Sequence, residues 1–391
     1  MSGPDQLRWA EIDLSAVAHN VGQLRARLSP GAKLAAVVKA NAYGHGATEV
    51  ARAAVSAGAE WLCVATVAEG VELRAGGVTA PILNMGPTPA AVAGRAIAAG
   101  LRCCVFEPDG IEVLANAAER AGRQLPVHLK IDTGMARLGA PVGEALDLAR
   151  QVEASPALQL EALWTHLAEA DNRESLRNDD QLSRFLGEVD RIRRAGIEPA
   201  MVHCANGAAT LLNPSSHLDM VRCGLPVYGY SPTSAPVDGL KLRPVMTWKS
   251  RVVALHHLDT GDRVGYGGDF AATSPLVSAT VAVGYADGYS RRLSDRGTML
   301  VRGSRVPVVG RVSMDFATVD VTAVPGVRIG DEVVLLGSQG EAFIGADEMA
   351  ESLDTIPWEV LSRVGPRVVR FPVDYPQAIS SPPVAGAVNA V

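Results

Sequence analysis

The sequence predicts an α/β protein: an N-terminal (β/α)8 barrel followed by a mainly β C-terminal domain. Two patterns lead to this. Over the first part of the chain, short apolar runs alternate with amphipathic stretches rich in Ala, Leu, Arg and Glu. Beyond Pro244 the rhythm changes to Val-rich, Gly-punctuated runs with few helical periods. A length of 391 residues at 48% hydrophobic content suffices to bury the cores of two domains.

Candidate barrel strands fall at residues 33–38, 61–66, 81–85, 101–106, 126–131, 158–165, 200–204 and 217–221. Each is close to continuously apolar, as strands covered on both faces should be. The stretches between them, among them 15–27, 142–153 and 180–194, carry helical periodicity. Alternation of this kind builds parallel βαβ units, and eight of them fit a barrel over residues 10–243. Residues 244–372 read as the β domain, with strands at 249–255, 276–283, 298–301 and 332–336 set off by turn residues. Residues 373–391 are rich in Pro, Ala and Ser and are expected to be a disordered tail.

Charged residues make up 20% of the chain and the formal net charge is −6, without blocks of like charge, so neither nucleic acid nor an anionic membrane surface is an expected partner. There is no apolar run of spanning length, and the first residues lack the apolar core of a leader. The five cysteines (Cys63, Cys103, Cys104, Cys204 and Cys223) form no C-x-x-C pair and read as reduced core thiols. The expectation is a cytoplasmic enzyme or binding protein.

In barrels of this kind, chemistry sits on the loops that follow the strands. Lys39, Tyr43 and His45 follow the first run, Asp132 and Arg137 the fifth, His166 ends the sixth, Asn206-Gly207 follows the seventh, and Arg222-Cys-Gly224 the eighth. Lys39 emerges from Leu34-Ala-Ala-Val-Val38. Burial and cationic neighbours lower a lysine's pKa, and the neutral amine can form a Schiff base. A solvated lysine at a strand end is the plain alternative. Arg137 and Arg222 weigh against it, because clustered cations call for an anionic ligand. Gly44 and Gly46 permit close backbone approach, and Tyr43 can offer a hydroxyl to a phosphate. No metal is expected at His256-His257, since adjacent strand residues point to opposite faces. Asp269 and Asp287 read as turn residues, and His19 as a helix-surface or packing residue.

The segment Val38-Lys39-Ala-Asn-Ala-Tyr43-Gly-His45-Gly46 resembles the cofactor-lysine motif of the alanine racemase family. The resemblance runs from Ala10 to Arg370. It is supported by Leu129-Lys130-Ile-Asp132-Thr-Gly134-Met-Ala-Arg137-Leu-Gly139, by Gly284-Tyr285-Ala-Asp287-Gly288-Tyr289, and by Gly310-Arg311-Val-Ser-Met314-Asp315. It implies an isomerase that racemises alanine with pyridoxal 5'-phosphate carried on Lys39. Tyr43, Asn206, Gly207, Gly224, Leu225 and Trp358 would fall near the phosphate. Arg222, backed by His203, would face the pyridine nitrogen and keep it unprotonated, which limits side reactions. His166 would flank the ring, Arg137 would hold the phenolic oxygen and orient substrate, and Lys130 matches a position that is often carbamylated.

Racemisation removes the Cα proton from one face and returns one to the other, so two acid/base groups must flank the carbon. The resemblance gives these roles to Lys39 and to Tyr266 of the partner in a homodimer with shared sites. Met314 and Asp315 would sit by the substrate carboxylate, with Tyr285 at the entrance. The chain departs from the family in having Trp358 where tyrosine is common and Gly207 where serine is usual. These departures keep open a racemase of another or broader set of amino acids, such as serine. A decarboxylase of the same architecture would carry a Cys-Glu-Ser-like segment, which is not found, and a non-catalytic cofactor-binding protein would resemble the barrel alone. By the same analogy, D-alanine would feed peptidoglycan synthesis.

Overall fold

The computed structural model describes residues 6–233 and 235–374. Eight parallel strands form the first sheet: Lys33–Val37, Trp61–Val64, Ile82–Asn84, Arg102–Val105, Leu125–Asp132, Leu158–Trp164, Met201–His203 and Met220–Cys223. The first seven pair in order, each with the next, and the eighth returns to the first with Arg222 opposite Ala35. Between the last two strands the ladder thins to a single bridge, Asn206 with Arg222. The gap is closed by Asp219 N donating to Val202 O at 3.0 Å and Val202 N donating to the Asp219 carboxylate at 2.7 Å.

Seven of the strands are one or two residues shorter than the apolar runs that announce them, while Leu125–Asp132 extends its run by one residue at each end. Helices follow the strands as expected, from Ala47–Ser56 to Leu176–Arg194 and the short Gly207–Leu212. One expected helix is absent among the described residues. After the eighth strand comes a 3-10 turn, Leu225–Tyr228, and the ring is completed by Leu14–Arg25, the helix that precedes the first strand. Asn20 on that helix is fully buried and donates to the carbonyls of Val227 and Arg243 at 3.1 and 2.8 Å.

The second sheet is built around Met246–Leu258, a strand of 13 residues. One half pairs antiparallel with Glu332–Gln339 and the other with Leu276–Val281. The strand Arg8–Asp13, at the start of the chain, lies in this sheet and not in the barrel: it pairs antiparallel with Met246–Leu258 and parallel with Val369–Val373. Val373, where the predicted tail begins, is therefore a strand residue opposite Asp13, and residues 375–391 lie outside the described residues. Among the described residues no helix is long and apolar enough to cross a membrane.

Asp287 is more than the turn residue its sequence context predicts. It is fully buried, accepts from Gly284 N at 3.0 Å, and pairs with Arg8 at 2.9 Å and Arg367 at 3.2 Å. Arg367 also donates to Asp315 at 2.7 Å. One carboxylate thus ties the first strand of the chain to the loops at residues 284–289 and 313–316. Asp287→Ala would leave two guanidinium groups without their shared partner. Because Arg367 can turn to water, we expect a loss of about 3 kcal/mol, at the low end for breaking a buried pair. Calorimetric unfolding measures it, and an unchanged Tm would show that Asp287 has no such bridging role.

Candidate active site

Lys39 directly follows the first barrel strand and its Val38 extension, where the chain enters a turn of unusual hand. Ala40, Asn41, Ala42 and Tyr43 have φ of 52°, 53°, 53° and 50°, the left-handed region that side chains other than glycine rarely occupy. The turn is closed internally by Ala42 N donating to Val38 O and Gly44 N to Ala40 O, both at 2.9 Å. Glu69 accepts from Ala40 N at 2.7 Å. Asn41 Oδ1 accepts from Ala47 N at 2.9 Å and starts the next helix. His45 lies beneath, with Nδ1 at 3.0 and 2.9 Å from the carbonyls of Ala42 and Tyr43, so that nitrogen carries the proton. Burial lowers its pKa to about 4, and it holds the turn as a neutral ring. From the second domain, Arg370 donates to Gly44 O at 2.9 Å. The helix Pro357–Ser362 packs so closely that a Cβ at Gly44 would lie 2.3 Å from Leu361 O.

The Lys39 amine is half-buried, and burial followed by the charge of Arg137 lowers its pKa. Deeper in the barrel, Arg222 is buried and donates to the carbonyls of Thr165 and Cys204 at 2.8 and 2.9 Å and to His203 Nδ1 at 2.6 Å. Among the described residues it makes no ion pair. His166 Nδ1 is 3.4 Å away, and burial together with Arg222 keeps that imidazole neutral, its pKa well below the ordinary value. Lys130 lies over the Trp164 ring at 4.5 Å. Its pKa falls to about 8, first through burial and further through Arg222 and Arg137.

Tyr43 stacks on Tyr228 at 4.8 Å, and its hydroxyl reaches Gly224, where a Cβ would lie only 2.5 Å from it. Burial pushes that hydroxyl well above its usual pKa, so it stays a donor. At Gly207, a Cβ would lie 3.1 Å from the Pro226 ring. Asn206 caps the helix Gly207–Leu212, accepting from Ala208 N and Ala209 N at 3.1 and 3.0 Å. Leu225 is buried in the 3-10 turn, and Trp358 is half-buried on the helix that packs against Gly44. The Arg137 side chain is exposed on a loop whose amides from Gly134 to Arg137 all donate to Asp132. Burial alone would raise Asp132, and these four amides together hold it below its ordinary value.

The residues predicted from the second domain lie together, but on its surface. Tyr266 tops the hairpin formed by Arg263–Val264 and Phe270–Ala271 and is 72% exposed. Arg311 pairs with Asp269 and ties that hairpin to the loop carrying Met314 and Asp315. Tyr285 N and Ala286 N donate to Ser313 O and Met314 O at 3.1 Å, fixing the entrance residues to the same loop. Sequence reading missed Glu69, Arg370, His128 and Glu161. His128 sits inside an apolar run, and the other three gave no motif of their own. His256 and His257 are exposed strand residues with no part in this cluster.

The alanine racemase N-terminal domain matches residues 12–232, and the alanine racemase C-terminal domain matches residues 245–372. An alanine racemase of Desulfosudis oleivorans is 45% identical over 373 residues, covering 93% of this chain and 95% of that one. The alanine racemase of a D-cycloserine-producing Streptomyces lavendulae superposes with a TM-score of 0.91 at 37% identity, covering 95% and 98% of the two chains. That of Bartonella henselae, solved with covalently bound pyridoxal phosphate, superposes with a TM-score of 0.83 at 28% identity, over 94% and 100%.

The buried amine of Lys130 gives a pH signature of known sign. Its folded pKa of about 8 lies below the ordinary 10.5, so at pH 7 the folded state holds a charge it disfavours. That penalty is relieved as the folded group loses its proton above pH 8, and is gone near 10.5, where the unfolded chain loses its own. In carbon-dioxide-free buffer, Lys130→Met should raise Tm at pH 7 and give a shrinking advantage as the pH rises. A pH-independent difference would refute the assignment.

Proposed function

The chain belongs to the alanine racemase family, and on that premise we propose that it interconverts L- and D-alanine by a two-base mechanism in which Lys39 and the partner subunit's Tyr266 are the acid/base groups. The observation that carries this is the Lys39 amine, held at the mouth of the barrel by a left-handed turn, half-buried, with its pKa lowered by burial and by Arg137. An amine whose pKa is lowered yields its proton more readily than an ordinary lysine and, once neutral, can take one up.

The residues present fit pyridoxal 5'-phosphate. Lys39 supplies the reactive amine. Arg222 is a buried cation with no carboxylate partner among the described residues and can donate to a ring nitrogen. The contact of Tyr43 with Gly224, which leaves no room for a side chain, gives a backbone surface and a hydroxyl to a phosphate, alongside Asn206, Gly207, Leu225 and Trp358. When bound, the cofactor supplies the electron sink that lets an amino acid's Cα lose its proton. The chain's own work is to hold Lys39 on one face, keep His166 neutral beside the ring, and bring Arg137 to the substrate. Lys130, with its lowered pKa, is the lysine we assign to carbamylation by carbon dioxide.

Tyr266 is offered to solvent in the single chain, as are Tyr285 and Met314. We assign all three, with Asp315, to the mouth of the partner's barrel, and a homodimer then completes two sites. Five free, buried cysteines suit a reducing compartment, and we place the enzyme in the cytoplasm.

Mixing two inactive variants tests the shared site. Lys39→Ala removes one base and Tyr266→Phe the other. In a heterodimer both lesions fall on one site and the second site is intact. With random subunit exchange in a two-fold dimer, about a quarter of all sites should recover, giving racemisation from two inactive parents. Continued inactivity, with heterodimers confirmed by native mass spectrometry, would show that each site is built from one chain.

A further inference from the structure

Beneath Arg222, four polar side chains form one continuous line through the barrel. Arg222 Nη1 is 2.6 Å from His203 Nδ1, and His203 Nε2 is 3.2 Å from His128 Nδ1. His128 Nε2 is 2.9 Å from Glu161 Oε2, which Arg102 Nε also reaches at 3.3 Å. Both histidines are fully buried, with Trp164 stacked on His203 and Trp61 tilted against His128. Arg102 opens the strand Arg102–Val105, so the line runs from the functional mouth toward the opposite end, where the Glu161 and Arg102 side chains are partly open to solvent.

Elementary hydrogen-bond chemistry admits one arrangement of protons. A guanidinium only donates, so His203 Nδ1 must accept and its proton must sit on Nε2. That proton points at His128 Nδ1, which must therefore accept, leaving the His128 proton on Nε2 facing the carboxylate. A proton added to either ring, or moved to its other nitrogen, sets two donors against each other in a buried space. The orientation is thus fixed at both ends, by the Arg222 cation above and the Glu161 anion below.

We propose that Glu161 is a positioning residue for racemisation: acting through His128 and His203, it holds the acceptor that anchors the Arg222 guanidinium beneath the cofactor ring. Glu161 touches neither substrate nor cofactor. Without it, His128 loses the acceptor for its Nε2 proton. Moving that proton to Nδ1 drives His203 toward the form that opposes Arg222. The inference rests on the placement of Arg222 at the ring nitrogen given above.

The test uses nitrogen-15-histidine-labelled holoenzyme, with the two resonance sets identified by their loss in His128→Phe and His203→Phe. In the unmodified protein both rings should be neutral and protonated at Nε2. Glu161→Leu should populate the Nδ1-protonated form of both rings and lower kcat by roughly tenfold to a hundredfold, as for other groups that orient a site residue from behind, with little change in KM. Glu161→Gln keeps a carbonyl acceptor and should restore both the nitrogen spectrum and most of the rate. If Glu161→Leu does not fold, His128→Phe breaks the same line from its middle and should lower kcat alike. An unchanged His203 signal in Glu161→Leu, or an unchanged kcat in a folded His128→Phe, overturns the proposal. A changed His203 signal with unchanged kcat would show that the line exists but that Arg222 does not serve the ring, which overturns the reading beneath it.

Discussion

The site depends on keeping four consecutive non-glycine residues in a left-handed turn. Each of Ala40, Asn41, Ala42 and Tyr43 is disfavoured there by about 1–2 kcal/mol, so the turn exists only because its surroundings over-determine it. Those surroundings come from the whole chain. His45 and Glu69 belong to the barrel, whereas Arg370, on the edge strand Val369–Val373 of the second sheet, and the helix Pro357–Ser362 come from the second domain. Arg370 meets no carboxylate in this role: it donates to the carbonyls of Gly44, Val364, Gly365 and Val368 and so splices the last strand onto the loop after Lys39. The direction in which Lys39 leaves the barrel is therefore set by both domains of one chain. The barrel's own contacts therefore do not fix that turn by themselves.

The second constraint is electrostatic. Layers of Val, Ile and Leu would fill an ordinary barrel of this type, yet Arg222, Lys130, His128 and His203 occupy this one. Four cysteines surround the guanidinium, and none neutralises it, because burial pushes Cys63, Cys104, Cys204 and Cys223 up to about 12. The histidines are neutral as well, with burial the first cause in both. The mouth of the barrel therefore carries cationic charge that Glu69 and Asp132 offset only in part. A phosphate-bearing cofactor balances it, and burial, followed by the charge of neighbouring arginines, lowers Lys39 and Lys130.

Much of this was legible in the sequence, for reasons that can be named. Strands covered on both faces must be apolar throughout, so the run that became Trp61–Val64 was visible as composition alone. The residues ending such runs were informative because barrel chemistry is confined to that end. Position in sequence misled where topology intervened. Arg8–Asp13 buries Trp9, Ala10 and Ile12, but nothing local says which of two sheets it joins. Its partner strands lie more than 230 residues away. The left-handed turn was hidden because Ala40 and Ala42 are good right-handed helix formers, and only tertiary contacts reverse them. Glu161 and His128 were missed because each sits inside a strand, where a single polar residue reads as noise until its neighbour across the sheet is known.

The two departures from the family pattern acquire a local meaning in this geometry. A serine at position 207, the residue the resemblance leads one to expect, would bring its Cβ within 3.1 Å of the Pro226 ring and require the 3-10 turn Leu225–Tyr228 to give way slightly. That turn cannot easily move. Its Tyr228 hydroxyl donates to Val37 O at 2.7 Å, at the end of the strand that presents Lys39, and its ring stacks on Tyr43 and lies tilted against His45. Glycine at 207 thus fits a tightly held turn. With tryptophan at 358, whose indole donates only a single N–H, hydroxyl donation near Gly224 rests on Tyr43. Tyr43 is itself the last residue of the left-handed turn. The group expected to anchor the phosphate and the group expected to carry the cofactor are therefore held at opposite ends of the same strained segment, and any relaxation of that segment moves both together.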